Sequence, residues 1–408
     1  MQTVLHLSQF DAAGGSARSA YKIHTELQRL GARSRMLVGH KTTDDPNVAP
    51  LAGSKNWWRA NLAAYMLTER LSLQYAVSAS CFALRAHPWF REATVLQLHN
   101  LHGGWFAHTS LPLLARARPT VWRLADMWPL TGHCSYSFEC GRWRTGCGSC
   151  PHLDGYPPLR HDLSAVNWRI KDVAYRHSPM TIVAPSDWLA SLARESPLLN
   201  RFPVRVIRTG VELDVFRPQP RAGARAQLGV PVDAPVVLVA SREERKGAGL
   251  ATAALGRLGA RHPGLTALVF GQGETPIEPP ATQVVALGMI DDRERLALAY
   301  AAADVLLYPT LADNLPNTIL ESMACGTPVV SLPSGGVPEA VTHLEDGYLV
   351  ERAGGEALAE AVTTLLDDPD LRARLGSAAA ARVRRDFSVE AQGRAFLELY
   401  DEIAGAEP

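Results

Sequence analysis

Apolar runs of four to seven residues recur along the chain, each followed by a polar or glycine-rich stretch and then by apolar positions at helical spacing. Residues 3–8 alternate as a strand, and after the loop at 9–18 the residues Ala20, Ile23, His24, Leu27 and Leu30 repeat at three- and four-residue intervals, which predicts a helix. Residues 35–40, 95–100, 120–126 and 181–186 predict further strands in the first half; 236–241, 266–270, 284–290, 304–309 and 329–332 do so in the second. The run at 95–100, mostly apolar, suits a parallel strand covered on both faces. Strands alternating with helices in two halves predict an α/β protein of two doubly wound, Rossmann-like parallel-sheet domains facing across a cleft.

A first domain over 1–203, a second over 204–388 and a last helical segment over 389–408 follow from this pattern, with the Pro- and Arg-rich stretch 217–235 in the hinge region. One helix, predicted over 57–73, brings Trp57, Trp58, Leu62, Tyr65 and Met66 to one side. Burial in the core is the ordinary fate of such a face. Peripheral contact with a membrane is the other, although Arg59, Glu69 and Arg70 give no strong basic face.

Composition narrows the function classes. With 47% apolar residues, 20% charged residues and a formal charge of zero in 408 residues, the chain reads as globular, and it offers no general attraction for nucleic acid. No apolar run reaches the roughly 18 residues that span a bilayer, and the N-terminus lacks a basic segment followed by a hydrophobic one, so a cytoplasmic protein is expected.

The most informative chemistry lies at Asp313 and Glu321. Pro316 suits a first helical position, Ile319 and Leu320 pair with Met323 and Ala324 at i, i+4, and Gly326 and Pro328 end the helix, which is expected over about 316–325. Were 313–321 all helical, the two acids would stand about 12 Å apart along the axis. A loop can instead fold Asp313 back, leaving the N–H groups of Asn314, Leu315 and the residues up to Thr318, except Pro316, at a helix N-terminus. That is an anion site beside two acids able to accept hydroxyl hydrogen bonds, and it suits a sugar nucleotide. The plainer reading is a turn aspartate and a solvated helix glutamate.

Other loops at strand ends fit the same ligand. Gly14 and Gly15 follow the first strand but lack the later glycine of a dinucleotide fingerprint. Arg242, Arg245 and Lys246 follow the strand at 236–241 and suit a diphosphate; Gly271 and Gly273 follow the next strand and suit a nucleoside. His99 and His102, after the strand at 95–100, could bind a sugar or be satisfied loop histidines. Cys134, Cys140, Cys147 and Cys150, in an insert at 133–152, have the number and terminal C-x2-C spacing of a closed, structural zinc knuckle, with free thiols and disulfides as alternatives.

An acid, seven residues, Glu321 and then Ser-Met-Ala-Cys-Gly-Thr-Pro-Val-Val together resemble the signature of the retaining group-1 glycosyltransferases of family 4, which have the two-domain GT-B fold. The form Asp-Asn-Leu-Pro-Asn-Thr-Ile-Leu-Glu-Ser is most similar to the exopolysaccharide and lipopolysaccharide branch, although the first acid is often Glu in the family. The resemblance implies transfer of a hexose from a nucleoside diphosphate sugar, with UDP or GDP as leaving group, to a saccharide acceptor that is often lipid-linked. It implies that Asp313 holds sugar hydroxyls and Glu321 the ribose. Lys246, Arg242 or Arg245 and the N–H groups near Leu315 would neutralise the diphosphate, so that catalysis needs no divalent metal. Backbone around Ile290 would meet the base, Gly14 and Gly15 would face the diphosphate, and the last helix would cross back to the first domain.

Residues 126–129 resemble the end of a His-Asp-Met-Trp-Pro segment, yet Ala125 stands where the family has histidine. Asp126 remains, and His102 or His133 could replace the missing imidazole in space. A sugar-nucleotide epimerase or hydrolase, or a noncatalytic sugar-nucleotide-binding partner of an assembly complex, would use much of the same machinery.

Overall fold

The structure, a computed structural model, describes residues 2–405. Two compact units divide it: one runs to Arg208 and resumes at Val389, and the other is Thr209–Ser388. The change of unit lies five residues after the expected 203, because Val204–Val206 pairs as a strand with Thr181–Ala184 of the first sheet.

The first sheet is built from β1 (Thr3–Phe10), β2 (Arg33–His40), β3 (Val48–Pro50), β4 (Val95–Leu98), β5 (Thr120–Arg123), β6 (Thr181–Ala184) and β7 (Val204–Val206), in the spatial order β3-β2-β1-β4-β5-β6-β7. All its pairings are parallel. Period-two alternation sends Leu5, Leu7, Leu96, Leu98 and Trp122 to one face and Val4, Val95, Val121 and Val183 to the other. The second face is covered by Ile23 and Leu27 from the helix Gly15–Arg29 and by Phe396, Leu399 and Tyr400 from the final helix, Val389–Gly405. Tyr400 Oη donates to Gln97 Oε1 at 3.0 Å and ties that helix to β4.

The second sheet is also parallel: β8 (Val236–Ala240), β9 (Thr266–Phe270), β10 (Gln283–Gly288), β11 (Val305–Tyr308), β12 (Val329–Ser331) and β13 (Tyr348–Leu349), ordered β10-β9-β8-β11-β12-β13. In each sheet the strand order reverses at one place, between β1 and β4 in the first and between β8 and β11 in the second. Ligands of open α/β sheets bind beyond the carboxyl ends of the strands at such a reversal. The loops carrying Gly14, His99 and His102 flank the first reversal; those carrying Arg242, Arg245, Lys246 and Asp313 flank the second.

One amphipathic segment departs from the expectation of burial. The helix Lys55–Arg70 buries only Thr68, and Trp57 and Trp58 remain 43% and 49% exposed. Helical periodicity says which residues share a face but not what covers it.

Candidate functional site

The acid loop runs from the end of β11 to the helix Asn317–Ala324, one residue shorter at each end than expected. Pro316 is its N-cap, with ψ 125°, rather than its first helical residue. The Asn314 N–H expected at an anion site is already taken, since it donates to Asp313 Oδ1 at 2.9 Å. Asp313 Oδ2 accepts from Tyr308 Oη at 3.1 Å, and Glu321 Oε2 accepts from Tyr300 Oη at 3.0 Å. Both phenols are buried, and burial followed by the adjacent carboxylate pushes each well above the ordinary tyrosine range, so they remain donors. Each acid is therefore held by a buried tyrosine. Asn314 and Leu315 are themselves buried.

The basic turn after β8 is locked onto this loop. Arg245 Nη1 donates to Ala312 O at 2.6 Å and stands 3.9 Å from Asp313 Oδ2, while Leu311 N donates to the Arg245 carbonyl at 2.9 Å. Close backbone approach makes this possible: Gly247 has φ 81°, and a Cβ there would lie 2.0 Å from Pro309 O. Glu243 bridges the cations, 3.2 Å from Arg245 and 3.4 Å from Lys246. Of the two arginines that competed for one role, Arg245 is tied to the acid loop, whereas Arg242 is exposed and anchored through its backbone. Arg242 N donates to Gln272 O at 2.7 Å, and a Cβ on Gly273 would lie 2.0 Å from the Arg242 carbonyl carbon, so the Gly271–Gly273 loop seats directly against the basic turn. Ile290, just beyond β10, is buried.

In the first unit Gly14 caps the helix Gly15–Arg29 with φ 85°, and nothing lies within 4 Å of where its Cβ would be, so its backbone is open to a ligand. Asp11 braces this loop: its carboxylate accepts from the backbone N–H and hydroxyl groups of Thr42 and Thr43. The two histidines after β4 part company. His99 is buried, with Nε2 2.9 Å from His6 Nδ1 and its ring stacked on that of His6. It lies in the protein interior. His102 Nε2 donates to Asp126 Oδ2 at 2.9 Å, and Asp126 Oδ1 accepts from Trp128 N at 2.9 Å. Of the two candidate histidines, His102 is the one that stands beside Asp126. His133 goes elsewhere, with Nδ1 2.9 Å from Pro157 O and Nε2 3.2 Å from Cys150 Sγ.

Cys134, Cys140, Cys147 and Cys150 line one small cavity together with His133 and Trp143. Burial pushes the Cys134 thiol up to about 12 and that of Cys147 to about 11. In this arrangement no group of three or more His, Cys, Asp or Glu side chains among the described residues is placed to hold a metal ion.

Sequence reasoning missed Tyr300 and Tyr308, which lie in runs that read as core, and the glycine contacts that lock the loops. The pairing of His102 with Asp126 was open between two histidines because the partners are 24 residues apart.

Residues 234–368 match the family described as "Glycosyl transferases group 1". A D-inositol 3-phosphate glycosyltransferase of Saccharomonospora viridis is 36% identical over 221 residues, covering 50% of this chain and 51% of that protein. The chain thus spans about half the length of such curated relatives in these matches. Among solved structures, sucrose-phosphate synthase from Thermosynechococcus elongatus superposes with a TM-score of 0.71 at 19% identity over 100% of both chains. The Anabaena protein HepE in complex with UDP-glucose gives a TM-score of 0.67 at 18% identity over 98% of this chain and 100% of its own. Residues 234–368 are therefore similar to the group-1 glycosyl transferases, in a chain with the two Rossmann-like domains of the GT-B fold.

Proposed function

We propose that the chain is a retaining hexosyltransferase that takes its sugar from a UDP- or GDP-hexose and passes it to a saccharide acceptor, often lipid-linked, in surface polysaccharide synthesis. The observation that carries this reading is the locking of the basic turn after β8 onto the acid loop after β11, which sets cations and hydroxyl acceptors side by side at a strand-order reversal. Glu321 takes the ribose diol and Asp313 the sugar hydroxyls. Lys246, with Arg242 and the N–H groups at the start of the helix Asn317–Ala324, meets the charge that grows on the departing diphosphate. Each well-placed donor of this kind lowers the barrier by roughly 2 to 4 kcal/mol. Arg245 positions the acid loop. The donor phosphate oxygen accepts the acceptor's proton on the face the acceptor attacks, so no protein nucleophile is required, and the cations supply the neutralisation that a divalent ion gives elsewhere.

HepE was solved with UDP-glucose, which favours uridine as the base. The D-inositol 3-phosphate glycosyltransferases support a second reading of the acceptor, as a phosphorylated polyol. Calorimetry with UDP, GDP and their hexose conjugates in the presence of a chelator tests the donor site; tight, metal-independent binding of one nucleotide is expected. Incubation of the preferred donor with lipid-linked saccharides and with inositol phosphates then separates the acceptors. The anomeric coupling constant of the product reads retention. Donor hydrolysis or epimerisation with every acceptor refused would overturn the transferase.

A further inference from the structure

From a groove in the first unit we infer a binding site for a free long-chain aliphatic carboxylate. The groove, about 580 Å³, opens between the helices Leu111–Ala115 and Ser164–Arg176, and its volume is that of a small-molecule site. Pro112 of the first helix and Val166, Ile170 and Val173 of the second give it hydrocarbon walls. Val173 is 60% exposed and Val166 38%, so this apolar stripe is open to solvent. From residue 166 to 177 the stripe runs about 16 Å at 1.5 Å per residue, which suits an extended chain.

The charges at the groove have one sign. Arg116 and Arg169 line it, and among the described residues no acid does. Asp172, the acid of the helix Ser164–Arg176, is turned to Arg176 and Arg201 at 2.5 and 2.8 Å. Of the other polar groups, Thr109 Oγ1 donates to Ala76 O at 2.5 Å, and His177 Nδ1 donates to Val173 O at 2.8 Å. Hydrocarbon bordered by guanidinium groups recognises an amphiphile with one anionic end. Its chain leaves water against valine and isoleucine, and its carboxylate takes arginine N–H groups in charge-assisted hydrogen bonds. An alkylammonium would meet like charge there. A second copy of the chain, seated on the same groove by two-fold symmetry, would bring the same arginines to the interface twice with no acid from either groove.

The groove lies apart from the loops described above. Both helices lead into strands that pair in parallel, β5 and β6, so their last turns, with Arg116 just beyond the first, stand at the amino ends of those strands. Asp126 instead follows the carboxyl end of β5. The carboxylate is therefore a ligand additional to the donor and acceptor of the proposed transfer. A cation beyond a last turn also answers the helix dipole, as Arg116 does; Arg169, in the middle of its helix, has no such role.

The inference stands independently of the transferase reading, since binding is measured with neither nucleotide nor acceptor present. Full-length protein is titrated calorimetrically with dodecanoate below its micelle concentration, and separately with hexanoate and with dodecyltrimethylammonium. Saturable binding of dodecanoate is expected, at least tenfold tighter than that of either other probe. Val173→Glu, which sets an acid in the groove, is expected to weaken it more than tenfold, and Arg169→Gln about fivefold. Both side chains are exposed, so unchanged melting curves accompany these losses. Trp58→Ser with Met66→Ser, on the exposed helix Lys55–Arg70, is expected to leave dodecanoate binding as it is. Absence of saturable dodecanoate binding would overturn the inference, as would binding that Val173→Glu leaves intact or that the Trp58 and Met66 double variant abolishes. So would equal affinity for the alkylammonium, and so would a concentration-dependent dimer that Val173→Glu dissociates in the absence of dodecanoate binding.

Discussion

Tyr308 donates its buried phenol to Asp313 across 3.1 Å, and in doing so fixes one of the two carboxylates of the acid loop and its helix. Tyr308→Phe removes the donor while preserving the packing of the ring at the end of β11. The expected outcome is a loss of about 1 kcal/mol of stability, as for one buried hydrogen bond. Transfer should suffer more: a fall of about tenfold in kcat/KM for the sugar donor, with the affinity for free nucleoside diphosphate unchanged, since Asp313 is assigned to the sugar and not to the ribose. Steady-state kinetics beside nucleotide calorimetry separates the two.

Glu321 is held in the same way, by Tyr300, and its proposed partner is the ribose diol. Glu321→Ala is therefore expected to weaken nucleotide binding by roughly ten- to a hundredfold, about 1.4 to 2.7 kcal/mol. A sharper readout is discrimination. The wild-type protein should prefer UDP to its 2′-deoxy analogue, and the variant should bind both alike. Persistence of the preference in Glu321→Ala would end the ribose assignment.

Gly335 is a spatial requirement of the acid loop. Its φ is 57°, and a Cβ there would lie 1.7 Å from Asp313 O. Gly335→Ala must displace the backbone that carries Asp313, so both melting temperature and turnover are expected to fall. Gly31→Ala is the matched control: its φ is 88° and nothing lies within 4 Å of its Cβ position, so it bears only the conformational cost of about 1 to 2 kcal/mol. Turnover retained in Gly31→Ala and lost in Gly335→Ala would separate loop position from general destabilisation.

These variants also mark what the sequence disclosed. The acid loop was legible because Pro316, Gly326 and the i, i+4 pairs at 319–324 punctuate a helix locally, and both acids lie within nine residues of one another. Strands lying in apolar runs were legible for a similar reason, even the three-residue β12, whereas β3 and β7, Val-Ala-Pro and Val-Arg-Val, lie in no such run. Gly247 against Pro309 and Gly335 against Asp313 are contacts between segments 62 and 22 residues apart, and nothing in the local pattern of either segment names the other. Tyr300 and Tyr308 were hidden because a buried tyrosine that braces an acid has the same neighbours in sequence as one that only fills space. The outer face of Lys55–Arg70 misled for a related reason, since apolar residues on one side signal a partner without saying whether it is protein.

Acid titration should divide into two windows with different owners. Asp11 is buried, and although burial alone would raise it, the hydrogen bonds from Thr42 and Thr43 hold it down to about 2, against an ordinary 3.8. Because the folded form binds fewer protons than the unfolded chain, its contribution is complete above pH 3.8 and is lost as pH falls through 3.8 towards 2; the shift corresponds to roughly 2 kcal/mol. His6 and His99 lie in the interior, where burial first, and then His99 and His24 for His6 and Arg123 and His24 for His99, hold them well below 6.5. They are neutral in the fold and protonate on unfolding, so their contribution is complete above pH 6.5 and declines as pH falls below it. Melting temperature against pH is therefore expected to start falling near 6.5 and to steepen below 4. His6→Gln with His99→Gln should make the upper limb shallower without abolishing it, since burial also holds His24, His108 and His133 below 6.5, and should leave the lower one. Asp11→Asn should lower stability at neutral pH, because an amide NH2 would face N–H and O–H donors, and should flatten only the lower limb. An upper limb unchanged in the double histidine variant would show that acid sensitivity there comes from other groups.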